Sequence, residues 1–69
     1  MKPTAVESGT LATIGYDPDR KLLQLEFRDH SVYQYFAVPA DVYDALLQAP
    51  SKGFYFNRAI RDRFDYTPI

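Results

Sequence analysis

Two aromatic clusters and two prolines limit the fold of this chain more than any other feature of its sequence. The clusters, YQYF at residues 33–36 and FYF at residues 54–56, flank an apolar segment that lies between Pro39 and Pro50. Proline has a fixed φ angle and no amide hydrogen, so it is tolerated in the first turn of a helix but not in its interior. The segment between the prolines is therefore predicted to form one short helix.

The chain is rich in aromatic residues, and the first explanation is that so small a core needs large side chains for stability. A core built from 69 residues, with no disulfide or metal, gives only ~3–5 kcal/mol of net stability. No cysteine is present, whereas six tyrosines and five phenylalanines each offer a large buried area. The rings are expected to stabilise the core before any of them is assigned to a ligand.

The first half of the chain has the pattern of an antiparallel meander. Strands are predicted at 11–16, 22–28 and 31–38, because apolar and polar residues alternate in the second strand and turn-forming residues separate all three. The two-residue link Asp29-His30 calls for a positive φ at its centre, which these residue types tolerate better than most.

The faces of the third strand are ambiguous. Tyr33 and Tyr35 share one face, while Val32, Phe36 and Val38 share the other. Either both faces are covered, or a bulge near residues 36–37 switches the register.

Two helices are predicted after the meander. The first lies between the two prolines and has Asp41 in its first turn, where a carboxylate is favourable. Ser51 is suited to cap a second helix that runs to about Phe64, with Phe56 and Ile60 on the same apolar stripe.

These elements predict an α+β domain in which a three-stranded antiparallel meander is followed by two short helices packed on one face. The domain is expected to span residues 10–66, with a partly ordered N-terminal arm at 1–9 and a short tail at 67–69. There is no run of ~18 apolar residues and no signal-peptide pattern. No membrane association is therefore expected, and the predicted location is the cytoplasm, which suits the lack of cysteine.

Tyr33 and Tyr35 are candidate residues for nucleic-acid binding. They lie two apart on a predicted strand, so their rings project from the same side, as in the sheets on which single-stranded bases stack. The alternative is that both rings pack beneath the helices with their hydroxyls at the rim. The sequence leaves both interpretations open.

Basic residues near the end of the chain are the second candidate. Between residues 51 and 64 the only acidic residue is Asp62, whereas the basic residues are Lys52, Arg58, Arg61 and Arg63, although the whole chain has a net charge of −1. Arg58 and Arg61 lie three apart on the predicted helix, a spacing that suits two neighbouring phosphates. The alternative is a solvated helix face that complements the helix dipole.

The sequence offers no catalytic or metal-binding constellation. His30 is the only histidine and cysteine is lacking, which excludes metal sites built on several such residues. No hydroxyl nucleophile can be paired with a base from spacing. Neither a cofactor nor a metal is predicted, and Asn57, which lies among aromatic residues, is expected to tie the second helix to the sheet through a hydrogen bond.

A set of short motifs is shared with a known family. The motifs are IGYD at 14–17, YQY at 33–35, VP at 38–39, VY at 42–43 with Leu46, then Ser51, Gly53, YFN at 55–57 and Ile60. With these motifs the chain resembles the KTSC domain, which is named for its occurrence at the C-terminus of some lysyl-tRNA synthetases and is also found as free-standing small bacterial proteins. The resemblance covers roughly residues 8–66 and implies RNA binding only through that synthetase context. This chain departs from the family it resembles at the second hairpin turn, where members of the family look as if they have a glycine and this chain has His30.

Together these features predict a small non-catalytic binding module. RNA is the favoured ligand, bound by the face that carries Arg58 and Arg61 and by Tyr33 or Tyr35. The alternative is a protein–protein interaction module that acts through an aromatic patch or a sheet edge. The sequence leaves the oligomeric state open.

Overall fold

The architecture is one antiparallel sheet with two helices, seen in a computed structural model that describes residues 2–69. The strands are Thr4–Ala5 (β1), Leu11–Asp17 (β2), Leu22–Phe27 (β3), Val32–Tyr35 (β4) and Tyr66–Pro68 (β5), and the helices are Ala40–Gln48 (α1) and Lys52–Ala59 (α2). The strand order in the sheet follows the chain, and each strand is antiparallel to its neighbours. The predicted α+β class, with an antiparallel meander followed by two helices, is confirmed.

The sheet has two strands more than the three that the sequence predicted. β1 comes from the segment expected to be a partly ordered arm, and Thr4 pairs there with Ile14; Met1 lies outside the described residues. β5 comes from the end of the chain, where Tyr66 pairs with Tyr35 and the Ile69 amide donates to the Val32 carbonyl at 2.9 Å. The open edges of a three-stranded meander present unpaired amides and carbonyls, and these short segments satisfy them. Residues 67–69 are thus part of the sheet rather than a tail.

The two faces of the β2–β3 hairpin differ as its alternating pattern predicts. Ile14 on β2 pairs with Leu25 on β3, and both side chains are fully buried on the face that the helices cover. The opposite face is polar. Thr13 donates to Glu26 at 3.2 Å across β2 and β3, and Gln34 donates to Gln24 at 3.0 Å across β4 and β3. One face therefore belongs to the core and the other to solvent.

The turn between β3 and β4 has the predicted positive φ, which is 73° at His30. One carboxylate oxygen of Asp29 accepts hydrogen bonds from the Ser31 amide at 3.0 Å and the Ser31 hydroxyl at 2.6 Å. These bonds satisfy the turn locally and offset part of the cost of the left-handed residue, which is about 1–2 kcal/mol for a side chain with a Cβ.

The ambiguity in the third strand is resolved by a change of direction after Tyr35. The strand ends there, and Ala37 has a φ of 58°, so the alternation of faces is interrupted. Tyr35 and Val38 are both buried although they lie on opposite faces by count, whereas Phe36 between them is exposed. The irregularity at residues 36–37 is the one that the sequence allowed.

The second helix is shorter than predicted. Ser51 caps it as expected, accepting from the Phe54 amide at 3.3 Å, but the helix ends at Ala59 rather than near Phe64. The amides of Ile60 and Arg61 both donate to the Phe56 carbonyl, which closes the last turn. The chain must leave the helix at this point because the Asp65 carbonyl accepts from the Phe36 amide at 2.9 Å, at the start of the pairing with β4.

The core lies between the sheet and the two helices. Its buried residues are Leu11, Ile14, Leu23, Leu25, Tyr35, Val38, Leu46, Phe56 and Ile60. Across residues 2–69, neither helix has the length and the hydropathy needed to cross a bilayer.

Candidate ligand-binding groove

A groove of about 490 Å³ opens where the end of the sheet meets the C-terminal half of α2. We call it the aromatic groove. Its lining residues are Thr10, Phe27, Asp29, Ser31, Tyr33, Tyr35, Phe56, Asn57, Arg61, Asp62 and Tyr66. They come from three strands, three connecting segments and one helix, so only the folded chain assembles the groove. Its volume is typical of sites for small organic ligands, which span roughly 300–1,000 Å³.

Five aromatic rings form a closed circuit along the groove. The centroids of consecutive rings are 5.7 Å apart from Phe27 to Tyr33, 5.6 Å from Tyr33 to Tyr66, 5.4 Å from Tyr66 to Tyr35, 5.7 Å from Tyr35 to Phe56 and 5.3 Å from Phe56 back to Phe27. Three of these contacts are edge-to-face, an arrangement that adds about 0.5–1.5 kcal/mol to the burial of each pair. The circuit links the sheet to α2 and fixes the wall of the groove.

The rings of the circuit differ in how much surface they present to solvent. Tyr35 is only 4% exposed, so it fits the core interpretation, and its ring face is not open to a base. Tyr33 is half-buried, and Tyr66 is 54% exposed. Tyr66 therefore supplies most of the accessible aromatic surface of the groove, and the half-buried rings of Tyr33 and Phe27 supply the rest.

Tyr66 is a groove residue that the sequence did not reveal. It lies outside every periodic segment, and its strand has only three residues. The available signal was indirect, since the aromatic strand β4 had no assigned partner on its outer edge. Tyr66 and Thr67, which follow the last helix and have high β propensity, were suited to form that partner strand.

Burial raises the pKa of the Tyr35 hydroxyl above its ordinary value. The neighbouring Tyr66, Tyr33 and Asp62 add to this rise in pKa, whereas Arg61 opposes it. The two charged residues therefore shift the pKa of the Tyr35 hydroxyl in opposite directions, and the hydroxyl stays neutral at neutral pH.

Arg61 and Asp62 place opposite charges side by side at the rim of the groove. Arg61 donates from Nη1 to Asn57 Oδ1 at 3.5 Å, one helical turn earlier. Asn57 is exposed and binds Arg61, so the expectation that it ties the helix to the sheet is wrong. Within residues 2–69 the one salt bridge joins Arg20 to Asp17, which leaves the Asp62 carboxylate without an ion-pair partner.

Asp29 is the second carboxylate at the groove, and it is already engaged. The Ser31 hydroxyl is the main cause that lowers the pKa of Asp29, and the Ser31 amide adds to the effect. Asp29 is therefore charged at neutral pH, and its acceptor capacity is partly used within the turn.

The predicted basic residues do not form a single cluster. Arg61 faces the aromatic groove, but Arg58 lies with Phe54, Tyr55, Ala59 and Arg63 along a second depression of about 420 Å³. The guanidinium of Arg58 sits over the Phe54 ring, 5.4 Å from its centroid, and this ring is 62% exposed.

Lys52 is separate from both groups. It occupies the first turn of α2, about 9 Å along the axis from Arg58 at 1.5 Å per residue. Its Nζ donates to the Ala49 carbonyl at 3.1 Å, near the end of α1. Ala49 is the C-cap residue of α1, so Lys52 satisfies a carbonyl at the end of that helix and links the two helices.

No group of three or more His, Cys, Asp or Glu side chains suited to a metal ion occurs within residues 2–69. The groove offers aromatic faces, one guanidinium, carboxylates and an amide. This set can bind a planar polar ligand by stacking and hydrogen bonding.

These features define a small α+β domain with a five-stranded antiparallel sheet and an aromatic groove at the end of its second helix. The chain belongs to the KTSC domain family, which matches it over residues 7–64.

Relatives of two kinds share the domain. An uncharacterized protein of Stutzerimonas stutzeri is 43% identical over 61 residues, which cover 88% of this chain and 86% of that protein. A lysine–tRNA ligase of a Nostoc species is 42% identical over all 69 residues, but the chain spans only 12% of the ligase. A crystal structure of a KTSC domain protein from Yersinia pestis superposes with a TM-score of 0.96 at 35% identity, covering 99% of this chain and 96% of that one.

Proposed function

We propose that this chain is a non-catalytic module that binds single-stranded RNA at the aromatic groove. One observation carries the proposal: the accessible rings of Tyr33 and Tyr66 and the guanidinium of Arg61 line the same groove. An unpaired base stacked on an aromatic side chain contributes about 1–3 kcal/mol, and a nearby guanidinium binds phosphate or base oxygens.

The surface next to the groove supports a path for the RNA backbone. Arg58, in the last turn of α2, and Arg63, beyond its end, line the second depression, and Arg61 lies between them in the chain. A strand whose base enters the groove meets these guanidinium groups at its flanking phosphates.

The charge of the chain limits the expected affinity. With a net charge of −1 the protein does not attract a polyanion over long distances. The two arginines of the second depression, Arg58 and Arg63, neutralise two phosphates and give a slope of about −1.4 in the logarithm of affinity against the logarithm of salt concentration, at roughly −0.7 per phosphate for single strands. Binding is therefore modest in strength and moderately dependent on salt.

The occurrence of the same domain within a larger protein also supports RNA as the ligand. The lysine–tRNA ligase relative acts on tRNA by name, and the domain is a small part of it. An RNA partner in turn fits a location in the cytoplasm. This support comes from association, whereas the groove supplies the physical argument.

A protein–protein interaction module is the second candidate, and the exposed ring of Phe54 favours it. Phe54 lies outside the aromatic groove, is 62% exposed and lines the second depression with Tyr55 and Ala59, so it belongs to an apolar surface patch of the kind that partner proteins bind. The free edge of β5 is a less suitable docking strand because Pro68 has no amide to donate.

The test is a titration of ¹⁵N-labelled protein with an eight-nucleotide single-stranded RNA of mixed sequence at 25 and 200 mM salt. We expect the amide signals of Tyr33, Arg61 and Tyr66 to shift at low salt, and the affinity to fall at high salt. A titration in which none of these amides moves at either salt concentration would exclude RNA binding at the groove.

A further inference from the structure

We infer that the aromatic groove accepts one unpaired guanine base, stacked on Tyr66 and Tyr33 and hydrogen-bonded along its polar edge by Arg61 and Asp62. The inference rests on the proposed RNA binding and adds the identity of the base. It starts from the charges at the rim, which impose opposite requirements on any occupant.

The carboxylate of Asp62 disfavours a phosphate inside the groove. Asp29 stands at the same groove and is charged at neutral pH, so a bound phosphate would meet two like charges and one guanidinium. The group that enters must instead donate hydrogen bonds, because an ionised carboxylate only accepts them. Phosphates are therefore left to the outer arginines.

The guanidinium of Arg61 equally disfavours a cationic occupant such as a lysine side chain. Arg61 lines the groove together with Asn57, whose Oδ1 atom accepts from Arg61 Nη1 at 3.5 Å. A guanidinium only donates, so the occupant must also present an acceptor. A neutral planar group with donors and acceptors on one edge satisfies both Arg61 and Asp62.

Guanine is the RNA base whose edge matches this adjacent pair. Its O6 and N7 atoms accept two hydrogen bonds from an arginine, and its N1–H and N2 amino groups lie beside O6 as two neighbouring donors for a carboxylate. Adenine and cytosine each present one amino donor next to an acceptor nitrogen, and uracil presents one donor between two acceptors. Only guanine offers a carboxylate two donors in a row.

The walls of the groove suit a flat ring. Tyr66 and Tyr33 have centroids 5.6 Å apart with planes inclined by 58°, so they form an open corner rather than a closed stack. Tyr35 also lines the groove and is only 4% exposed, so it contributes to the inner wall and not to the open face. A base can lie against one ring while the other covers its edge.

The test compares four heptaribonucleotides that consist of uridine except for a central G, A, C or U. Fluorescence anisotropy at 25 mM salt measures their dissociation constants. We expect the G oligonucleotide to bind about tenfold more tightly than the other three, since one good bidentate contact discriminates by about that factor or more. Replacing the central guanosine by inosine, which keeps O6 and N1–H but lacks the N2 amino group, should remove a part of this preference.

The matched variants are Asp62→Asn and Asp44→Asn, which remove the same charge at the groove and on the far helix. Both residues are exposed, so neither change should unfold the protein, and circular dichroism checks this. We expect Asp62→Asn to lose the preference for G, so that the G and the all-uridine oligonucleotides bind alike, and Asp44→Asn to keep the preference of the wild type.

The outcomes separate the inference from the function on which it rests. Equal binding of all four oligonucleotides, unchanged by Asp62→Asn, would overturn the guanine site and leave RNA binding intact. No binding of any oligonucleotide would overturn both. Preferential binding of a lysine-rich or an asparagine-rich peptide at the same amides would also overturn the guanine site, because it would assign the charge pair to a protein ligand.

Discussion

The ring of Tyr66 lies 5.4 Å from the ring of Tyr35, and this contact joins the last strand of the chain to the centre of the core. Tyr35 is buried and Tyr66 is largely exposed, so one ring supports the other at the wall of the groove. The strand β5 thus has a part in stability and a part in ligand binding, and the two can be measured separately.

Replacement of Tyr66 by alanine should weaken RNA binding about tenfold or more, because it removes the most accessible stacking surface. The free energy of unfolding should fall by only about 1–2 kcal/mol, because two ring contacts are lost. Anisotropy titrations and urea unfolding measure the two effects.

The control for Tyr66→Ala is Phe36→Ala, which removes an exposed ring that does not line the groove. It should leave RNA affinity unchanged. If the two alanine variants lost affinity to the same extent, the Tyr66 ring would have no specific part in binding.

Arg61→Ala and Lys52→Ala remove the same charge at two places, just beyond the end of α2 and in its first turn. We expect Arg61→Ala to lower RNA affinity about tenfold and to leave the salt slope nearly unchanged, because the contact that is lost is to a base and not to a phosphate. Lys52→Ala should leave the affinity unchanged. It should instead cost roughly 0.5–1.5 kcal/mol of stability, since its hydrogen bond to Ala49 is lost. Equal losses of affinity would show that RNA responds only to net charge.

Several parts of the fold follow directly from local residue patterns. Alternation fixes Leu23 and Leu25 on the buried face, the two-residue link gives the positive φ at His30, and Ser51 caps α2. Each of these is a local effect, decided by the residue and its near neighbours, so the sequence is enough to predict it.

The parts of the fold that the sequence did not predict depend on pairing with residues that are distant in the chain. Thr4–Ala5 and Tyr66–Pro68 are too short to show periodicity, and they become strands only because β2 and β4 have free edges. The apolar spacing that continues to Phe64 favoured a longer helix, but pairing at Asp65 ends it early. The groove was accordingly half predicted: Tyr33, Tyr35 and Arg61 were candidates, whereas the contribution of Tyr66 depends on tertiary pairing.

Gly53→Ala should destabilise the protein by about 1–3 kcal/mol, the usual cost of overpacking. A Cβ at this position would lie 2.5 Å from Thr10 Oγ1 and 3.0 Å from Thr10 Cβ, so α2 and the start of β2 would have to separate. Chemical unfolding measures the loss. In a Thr10→Ala background the same change should cost less, because the nearer of the two atoms is gone. An equal cost in both backgrounds would assign the effect to something other than this contact.

Ser31→Ala should raise the pKa of Asp29 toward its ordinary value, because the Ser31 hydroxyl is the main cause of its depression. A carboxylate whose pKa is lower in the folded state contributes stability above its unfolded pKa of about 4, and this contribution is lost as the pH falls through the folded value. The variant should therefore be less stable than the wild type at pH 7, and the difference should narrow below about pH 4 as Asp29 becomes protonated. Carboxyl NMR titration of Asp29 gives the pKa directly, and urea unfolding at pH 7 and pH 3 gives the change in stability. A difference that stayed constant across this range would mean that the hydroxyl stabilises the turn without favouring the ionised form of Asp29.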